Sequence, residues 1–283
     1  MKITTYIEMF FIQAIILIKR LITMTPILIA ALMIYMSLAV SCISLDHHIK
    51  HTYRDYSKPP ANAFAFIMVQ KIATPGDCTP DDPEDSDSIE LCEQVTQDLP
   101  NIVQSGTGSG LLVWANGKPI ILTAAHVCLS TFPAEHRQDG ITIKVIQSSV
   151  VSVRSHDGRI VESDIIAVDI KEDLCALKVV HLFSAPVKLA KSPPEKGDRV
   201  YAISAPWGIN SPEMTLIFEG YYSGKDEHTH FYTIPTRPGS SGSVVLNDKF
   251  QAVGMLNAAF VDIESVGIGP GHEALKAFIE SIN

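Results

Sequence analysis

No stripe or patch of lysine and arginine runs along this chain: 22 basic residues stand against 31 acidic ones, a formal net charge of -9 at pH 7. A surface that neutralises phosphates needs clustered cations, so nucleic acid is not expected as a partner. Internal repeats are also absent, which excludes architectures built by stacking one unit many times. The acidic stretch Asp81-Asp82-Pro83-Glu84-Asp85-Ser86-Asp87 lacks the glycine turn and the terminal glutamate spacing of an EF-hand calcium loop. It reads as a solvated surface insertion, and no metal or organic cofactor is expected. Of the 283 residues, 46% are hydrophobic and 19% charged, enough for one large or two small cores.

The apolar content is uneven. Residues 7–18 form one apolar run, Lys19-Arg20 follow, and residues 21–40 form a second. Some twenty apolar residues can cross a bilayer as a helix, and a basic pair on its N-terminal side stays cytoplasmic, which places everything after Cys42 outside. Residues 1–45 are therefore expected to be a signal peptide or membrane-anchor helix and residues 46–60, polar and closed by Pro59-Pro60, a tether. Ala39-Val40-Ser41 supplies the small residues of a cleavage site. The segment also resembles a bacterial lipoprotein signal in which Cys42 is acylated, although Ala39 stands where a larger aliphatic residue is usual. Lipid anchor, uncleaved helix and cleaved signal all remain open here, as does a start at Met24. In each case the chain is exported: a lipid or an uncleaved helix would hold it at the membrane through the N-terminus, facing the periplasm or exterior, and a cleaved signal would leave it secreted.

Export makes disulfides available. Cys78 and Cys92 bracket the acidic stretch, and a bridge between them would stabilise by ~3 kcal/mol in the loop-entropy account. From residue 61 onward, short apolar and β-branched runs recur between turn signals. They fall at residues 64–72, 110–114, 120–123, 141–146, 160–161, 165–170 and 174–180, with Asn116-Gly117 a hairpin turn. A second set follows Pro186, at residues 187–190, 199–204, 215–222, 230–234, 243–246 and 251–257, and ends in a helix over 272–282.

Three short segments carry chemistry: Thr123-Ala124-Ala125-His126, Asp173-Leu174-Cys175-Ala176-Leu177 and Pro238-Gly239-Ser240-Ser241-Gly242-Ser243. A serine hydroxyl is a poor nucleophile at neutral pH and needs an imidazole as general base, with a carboxylate to fix the imidazole tautomer and stabilise its cation. His126, Asp173 and Ser241 are the candidates for those roles. Ser240 and Ser243 compete as nucleophile, but Gly239 and Gly242 flank Ser241 and permit the tight turn that exposes a hydroxyl.

The order histidine, aspartate, serine and the surrounding residues resemble the trypsin-like, chymotrypsin-fold serine peptidases, in particular their bacterial and viral branch. The resemblance covers roughly residues 60–275. It implies an all-β protein of two six-stranded antiparallel barrels with a C-terminal helix, the first over 61–185 with an acidic insertion at 75–98, the second over 186–283. It also implies that the N–H groups of Gly239 and Ser241 form an oxyanion hole, and that His126 and Asp173 face Ser241 across the cleft. That proximity would allow Cys128 and Cys175 to bridge, although buried free thiols are the favoured expectation for this pair.

The same resemblance puts Pro235 at the base of a specificity pocket, Thr236 beside it, and Leu256, Asn257, Ala258 and Ala259 along its wall. No carboxylate is there to bind a basic side chain, so a neutral, small or medium apolar residue is expected, unless Arg237 turns inward. Ser240 stands where digestive relatives carry an acid, and no activation sequence matches theirs, so zymogen control by that route is not expected. The function implied is an exported serine endopeptidase acting on protein or peptide substrates through an acyl-enzyme. The same residues also fit a catalytically silent binding or scaffold protein, or an esterase.

Overall fold

β-branched and apolar side chains pack well on a pleated, half-buried surface. In the computed structural model, which describes residues 58–98, 100–129, 132–179, 184–260, 263 and 265–282, they build two antiparallel sheets. The first contains β1 (Phe64–Pro80), β2 (Ile102–Ala115), β3 (Lys118–Thr123), β4 (Glu135–Gln138), β5 (Ile141–Ser155), β6 (Ile160–Glu162), β7 (Ile165–Asp169) and β8 (Leu174–Lys178). Their order is β4-β5-β1-β2-β3-β8-β7, with β6 paired to β5. The second contains β9 (Arg199–Ser204), β10 (Leu216–Asp226), β11 (Thr229–Tyr232), β12 (Ser243–Leu246), β13 (Ala252–Leu256), β14 (Ala258–Ala259) and β15 (Gly267–Gly269), ordered β13-β12-β9-β10-β11-β15-β14. The expected segment 1–45, with Cys42, lies outside the described residues, as does most of the 46–60 tether. Among the described residues no helix is long and apolar enough to cross a membrane.

The two sheets curl as half-barrels and hold eight and seven strands, which corrects the expected pair of six-stranded barrels. Apolar runs mark only the buried part of a strand, whereas a hydrogen-bonded ladder needs no apolar side chain. β1 and β5 accordingly run on for 17 and 15 residues. β4, with the sequence EHRQ, is exposed throughout and has no apolar pattern to betray it. Conversely, residues 187–190 make only isolated bridges, Val187 to Val113 and Leu189 to Ala252, and are not a strand. Pro75 is tolerated in β1 because pairing with β2 stops at Ala73, so its missing N–H falls on the sheet edge.

One buried cluster spans both sheets, joining Leu111, Leu112 and Leu122 to Ile203, Leu246 and Met255 and to Leu275 and Phe278 of the C-terminal helix His272–Ser281. Asn116 and Gly117 have φ of 47° and 81°, the paired left-handed conformation of a type I′ hairpin turn. The Asn116 amide, projecting from that turn, donates to the carbonyls of Ile279 and Ile282 (3.2 and 2.7 Å), which ties the last helix to the first sheet.

The acidic insertion is not merely solvated chain. Residues Ser86–Asp98 form a helix, and Asp85 just before it accepts from the Asp87 N–H and the Ser88 hydroxyl (3.2 and 2.5 Å), as an N-cap does. The Cys78–Cys92 disulfide pins this helix to β1. Cys92 packs with Ile141 and Ile143 of β5 in a small separate cluster.

Candidate active site

His126 sits in a single helical turn, Ala125–Cys128, immediately after β3. Asp173 occupies the turn immediately before β8, with φ of 53°. Aspartate tolerates this left-handed conformation better than most residues. The turn brings its carboxylate back onto the histidine: Oδ1 accepts from the His126 N–H at 2.9 Å and Oδ2 lies 2.7 Å from Nδ1. Both ends of the imidazole segment are thus held by one carboxylate, leaving Nε2 as the ring nitrogen free to exchange a proton. The His126 and Asp173 side chains are 43% and 31% exposed, so water screens the pair and its value is orientation more than stability.

A bridge joins Cys128 to Cys175, with Cα atoms 6.6 Å apart. This corrects the expectation of free thiols. Each cysteine lies two residues beyond His126 or Asp173, so the disulfide locks together the two segments that carry this hydrogen-bonded pair. Lys71 of β1 adds a further tie, its Nζ donating to the His126 carbonyl at 2.6 Å, and partial burial holds that ammonium below its ordinary value.

Ser241 lies in the turn before β12. Its hydroxyl donates to the carbonyl of Asn257 (3.1 Å). The Asn257 amide in turn donates to the carbonyl of Asp173 (2.8 Å), so Asn257 connects the carboxylate turn to the serine turn. Gly239 and Gly242 have φ of 93° and 88°. A side chain at Gly242 would strike the Ser109 carbonyl and the Thr123 hydroxyl, and one at Gly239 the Ala205 carbonyl. Glycine is required at both.

The backbone of this turn has an informative pairing pattern. The Pro238 carbonyl accepts from the Trp207 N–H (2.6 Å), the Ser240 N–H donates to Arg237, and the Ser240 carbonyl accepts from the Ser243 N–H. The Gly239 carbonyl accepts from the Ser109 hydroxyl (2.9 Å) and the Ser241 carbonyl from the Ser109 N–H (2.8 Å). From Pro238 to Ser241, the backbone polar groups without a partner among the described residues are the N–H groups of Gly239 and Ser241. Two unpaired donors beside a serine hydroxyl can receive an oxygen that gains negative charge.

A cavity of about 420 Å³ opens next to Ser241, lined by Thr236, Arg237, Pro238, Ala258, Ala259 and Phe260. Of the pocket residues expected from the sequence, Thr236, Ala258 and Ala259 line it. Pro235 is exposed and Leu256 fully buried in the core, so neither does. Asn257 faces an adjoining cavity with Asp173 and Glu172. Arg237 lines the pocket mouth with its Nη1 bonded to the Thr236 carbonyl (3.0 Å). Ser109, Lys71 and Trp207 carry no local sequence signal of their roles, because their partners are distant in the chain.

The family model of the trypsin-like peptidase domain matches residues 108–255, more than half of the chain. HhoB of Synechocystis sp., named as a serine protease, is 26% identical over 177 residues; the match covers 59% of this chain and 38% of HhoB. The chain therefore spans well under half the length of that relative. In fold it is similar to the HtrA-type protease AlgW with decapeptide, at a TM-score of 0.54 and 19% identity, covering 83% of this chain and 67% of that one. It is similar also to the serine endoprotease from Yersinia pestis, at 0.50 and 18%, covering 82% and 67%. With its two half-barrel sheets and a match over residues 108–255, the chain belongs to the trypsin-like peptidase domain family.

Proposed function

We propose that the protein is an exported, membrane-associated serine endopeptidase in which Ser241 is the nucleophile, His126 the general base and Asp173 the residue that orients and stabilises the imidazole. One observation carries this most strongly: the Asp173-held His126 and the Ser241 turn occur together, and the unpaired N–H groups of that turn are those of Gly239 and Ser241. In the resting state the Ser241 hydroxyl rests on Asn257. Catalysis requires it to rotate to His126 Nε2, a bond that commonly tightens only once substrate is bound.

Attack of Ser241 Oγ on the substrate carbonyl carbon then passes the hydroxyl proton to Nε2, and the carbonyl oxygen takes the negative charge toward the Gly239 and Ser241 N–H groups. Collapse breaks the C–N bond, with the proton on Nε2 delivered to the leaving amine. Water then attacks the acyl carbon as Nε2 takes its proton, and the Oγ–acyl bond breaks with that proton returned to Ser241 Oγ, which releases the acid and restores the enzyme. Among the described residues, the Thr236, Ala258, Ala259 and Phe260 lining of the cavity offers no anion to a basic side chain, so a small or medium apolar residue is the substrate group it suits. The AlgW structure carries a decapeptide, which favours a peptide over a simple ester as the natural substrate here. Two disulfides fit an oxidising compartment, and the apolar residues 1–45 supply the membrane attachment, with Cys42 as a lipidation candidate.

The test is labelling with a fluorophosphonate probe. The parent should label at Ser241, and Ser241→Ala should not, with turnover lower by on the order of a million-fold, as when a triad serine is removed elsewhere. His126→Ala should be comparably inactive. Equal labelling of parent and Ser241→Ala would refute the assignment.

A further inference from the structure

Ser109, on β2 of the first sheet, is fully buried. Its hydroxyl donates to the Gly239 carbonyl (2.9 Å) and accepts from the Ala205 N–H (3.0 Å). Its N–H donates to the Ser241 carbonyl (2.8 Å), and its carbonyl accepts from the Thr123 hydroxyl (2.7 Å). We propose that Ser109 is a positioning residue for acyl transfer, its hydroxyl setting the direction in which the Gly239 and Ser241 N–H groups point. This rests on the assignment of Ser241 as nucleophile above.

Gly239, at φ of 93°, has no side chain to restrict it, so the peptides on either side must be held from outside. The one before it is held at its carbonyl by the Trp207 N–H, and being trans it aims the Gly239 N–H the opposite way. The one after it is held at its carbonyl by Ser109 Oγ and at its N–H by the Arg237 carbonyl.

The two restraints meet at the same oxygen. Ala205, whose N–H rests on Ser109 Oγ, leads directly into the turn Pro206–Gly208 that contains Trp207. Trp207 itself has φ of 56°, a conformation a bulky residue adopts only where its surroundings impose it. A hydroxyl can donate to one of these partners while accepting from the other; a methyl group can do neither. Thr123, bonded to the Ser109 carbonyl, ends β3 three residues before His126. The base segment and the serine turn therefore take their positions from one buried residue of the first sheet.

The experiment compares Ser109→Ala with the parent, using a short peptide substrate and a peptide boronic acid, whose tetrahedral adduct with Ser241 places an oxygen at the two N–H groups. Rates are normalised to the number of serines that a fluorophosphonate titrates at completion. Removing a donor outright costs 10²–10³ in kcat, so misdirecting the pair should lower kcat by roughly 10- to 100-fold. KM should stay within about threefold and boronate affinity should fall in parallel with kcat, the mark of an interaction made in the transition state. Ser109→Cys, close in size but a weak hydrogen-bonding partner, makes the same comparison if the alanine variant does not fold. A lower melting temperature with unchanged kcat and boronate affinity per titrated site would make Ser109 structural only and overturn the proposal. A parent that neither labels nor turns over would instead overturn the peptidase assignment, and this proposal with it.

Discussion

The Tyr222 hydroxyl lies 2.9 Å from Nδ1 of His230, whose ring is buried against Gly271 in the second sheet. Burial pushes the His230 pKa below its ordinary value; Lys225 acts in the same direction, while Glu273 and Glu172 oppose it. The unfolded chain then binds a proton that the folded protein resists, so the stabilising effect is complete above about pH 6.5 and is lost as pH falls from there toward the lower folded value. Chemical denaturation between pH 8 and pH 5 should show stability declining on the acid side, with a shallower decline in His230→Gln. Parallel curves for the two proteins would show that other groups carry the acid sensitivity. Asn257 is the other residue whose bonds predict an effect. Losing its donation to Asp173, Asn257→Ala should leave Ser241 able to label but slow turnover, read as a fall in kcat with the labelled fraction unchanged.

Among the elements, the disulfides differ in what they hold. Cys128–Cys175 closes a separation of 47 residues and joins the His126 turn to the start of β8, worth about 4 kcal/mol in the loop-entropy account. Cys78–Cys92 closes 14 residues and secures the insertion helix to β1, worth about 3 kcal/mol on the same account. Cys128→Ala with Cys175→Ala should therefore lower both the melting temperature and the probe labelling rate. Cys78→Ala with Cys92→Ala should lower the melting temperature alone, since the helix packs on β1 and β5. Equal labelling rates in the two variants would show that His126 and Asp173 keep their geometry without the nearby bridge. The insertion helix carries little of the apolar periodicity that announces one: its packed face is Ser88, Leu91, Cys92 and Val95, and the serine together with the exposed Ile89 breaks the apolar stripe.

For the whole molecule, the described residues from 58 onward contain both sheets, both disulfides and every candidate site residue except Cys42. A chain starting at Arg54 should therefore fold as a soluble protein and label at Ser241 at the parent rate. Loss of labelling would place an essential element in the N-terminal segment. Cys42→Ala in the full chain separates the anchors: release from membranes supports acylation, and retention supports an uncleaved helix. At the opposite end, deleting residues 272–283 would expose the core around Leu275, Phe278 and Ile279. Full-length Asn116→Ala should cost about 1–3 kcal/mol, because carbonyls at the helix end lose their shared donor.

What the sequence determined by itself is whatever is encoded within a few residues. The Asn116-Gly117 turn, β9 and β12 at their observed bounds, the C-terminal helix, and the segments bearing His126, Asp173 and Ser241 were all readable, because backbone preference and motif spacing are local. The strand count was not, since ladders extend past the apolar runs that announce them. Only the tertiary structure decided that Cys128 meets Cys175, that Asn257 receives the Ser241 hydroxyl, and that Ser109 grips a carbonyl 130 residues away. Each of those contacts depends on how the two sheets are placed against one another. That placement comes from the shared burial of Leu112, Ile203, Leu246 and their neighbours, a collective packing outcome that no short stretch of chain specifies.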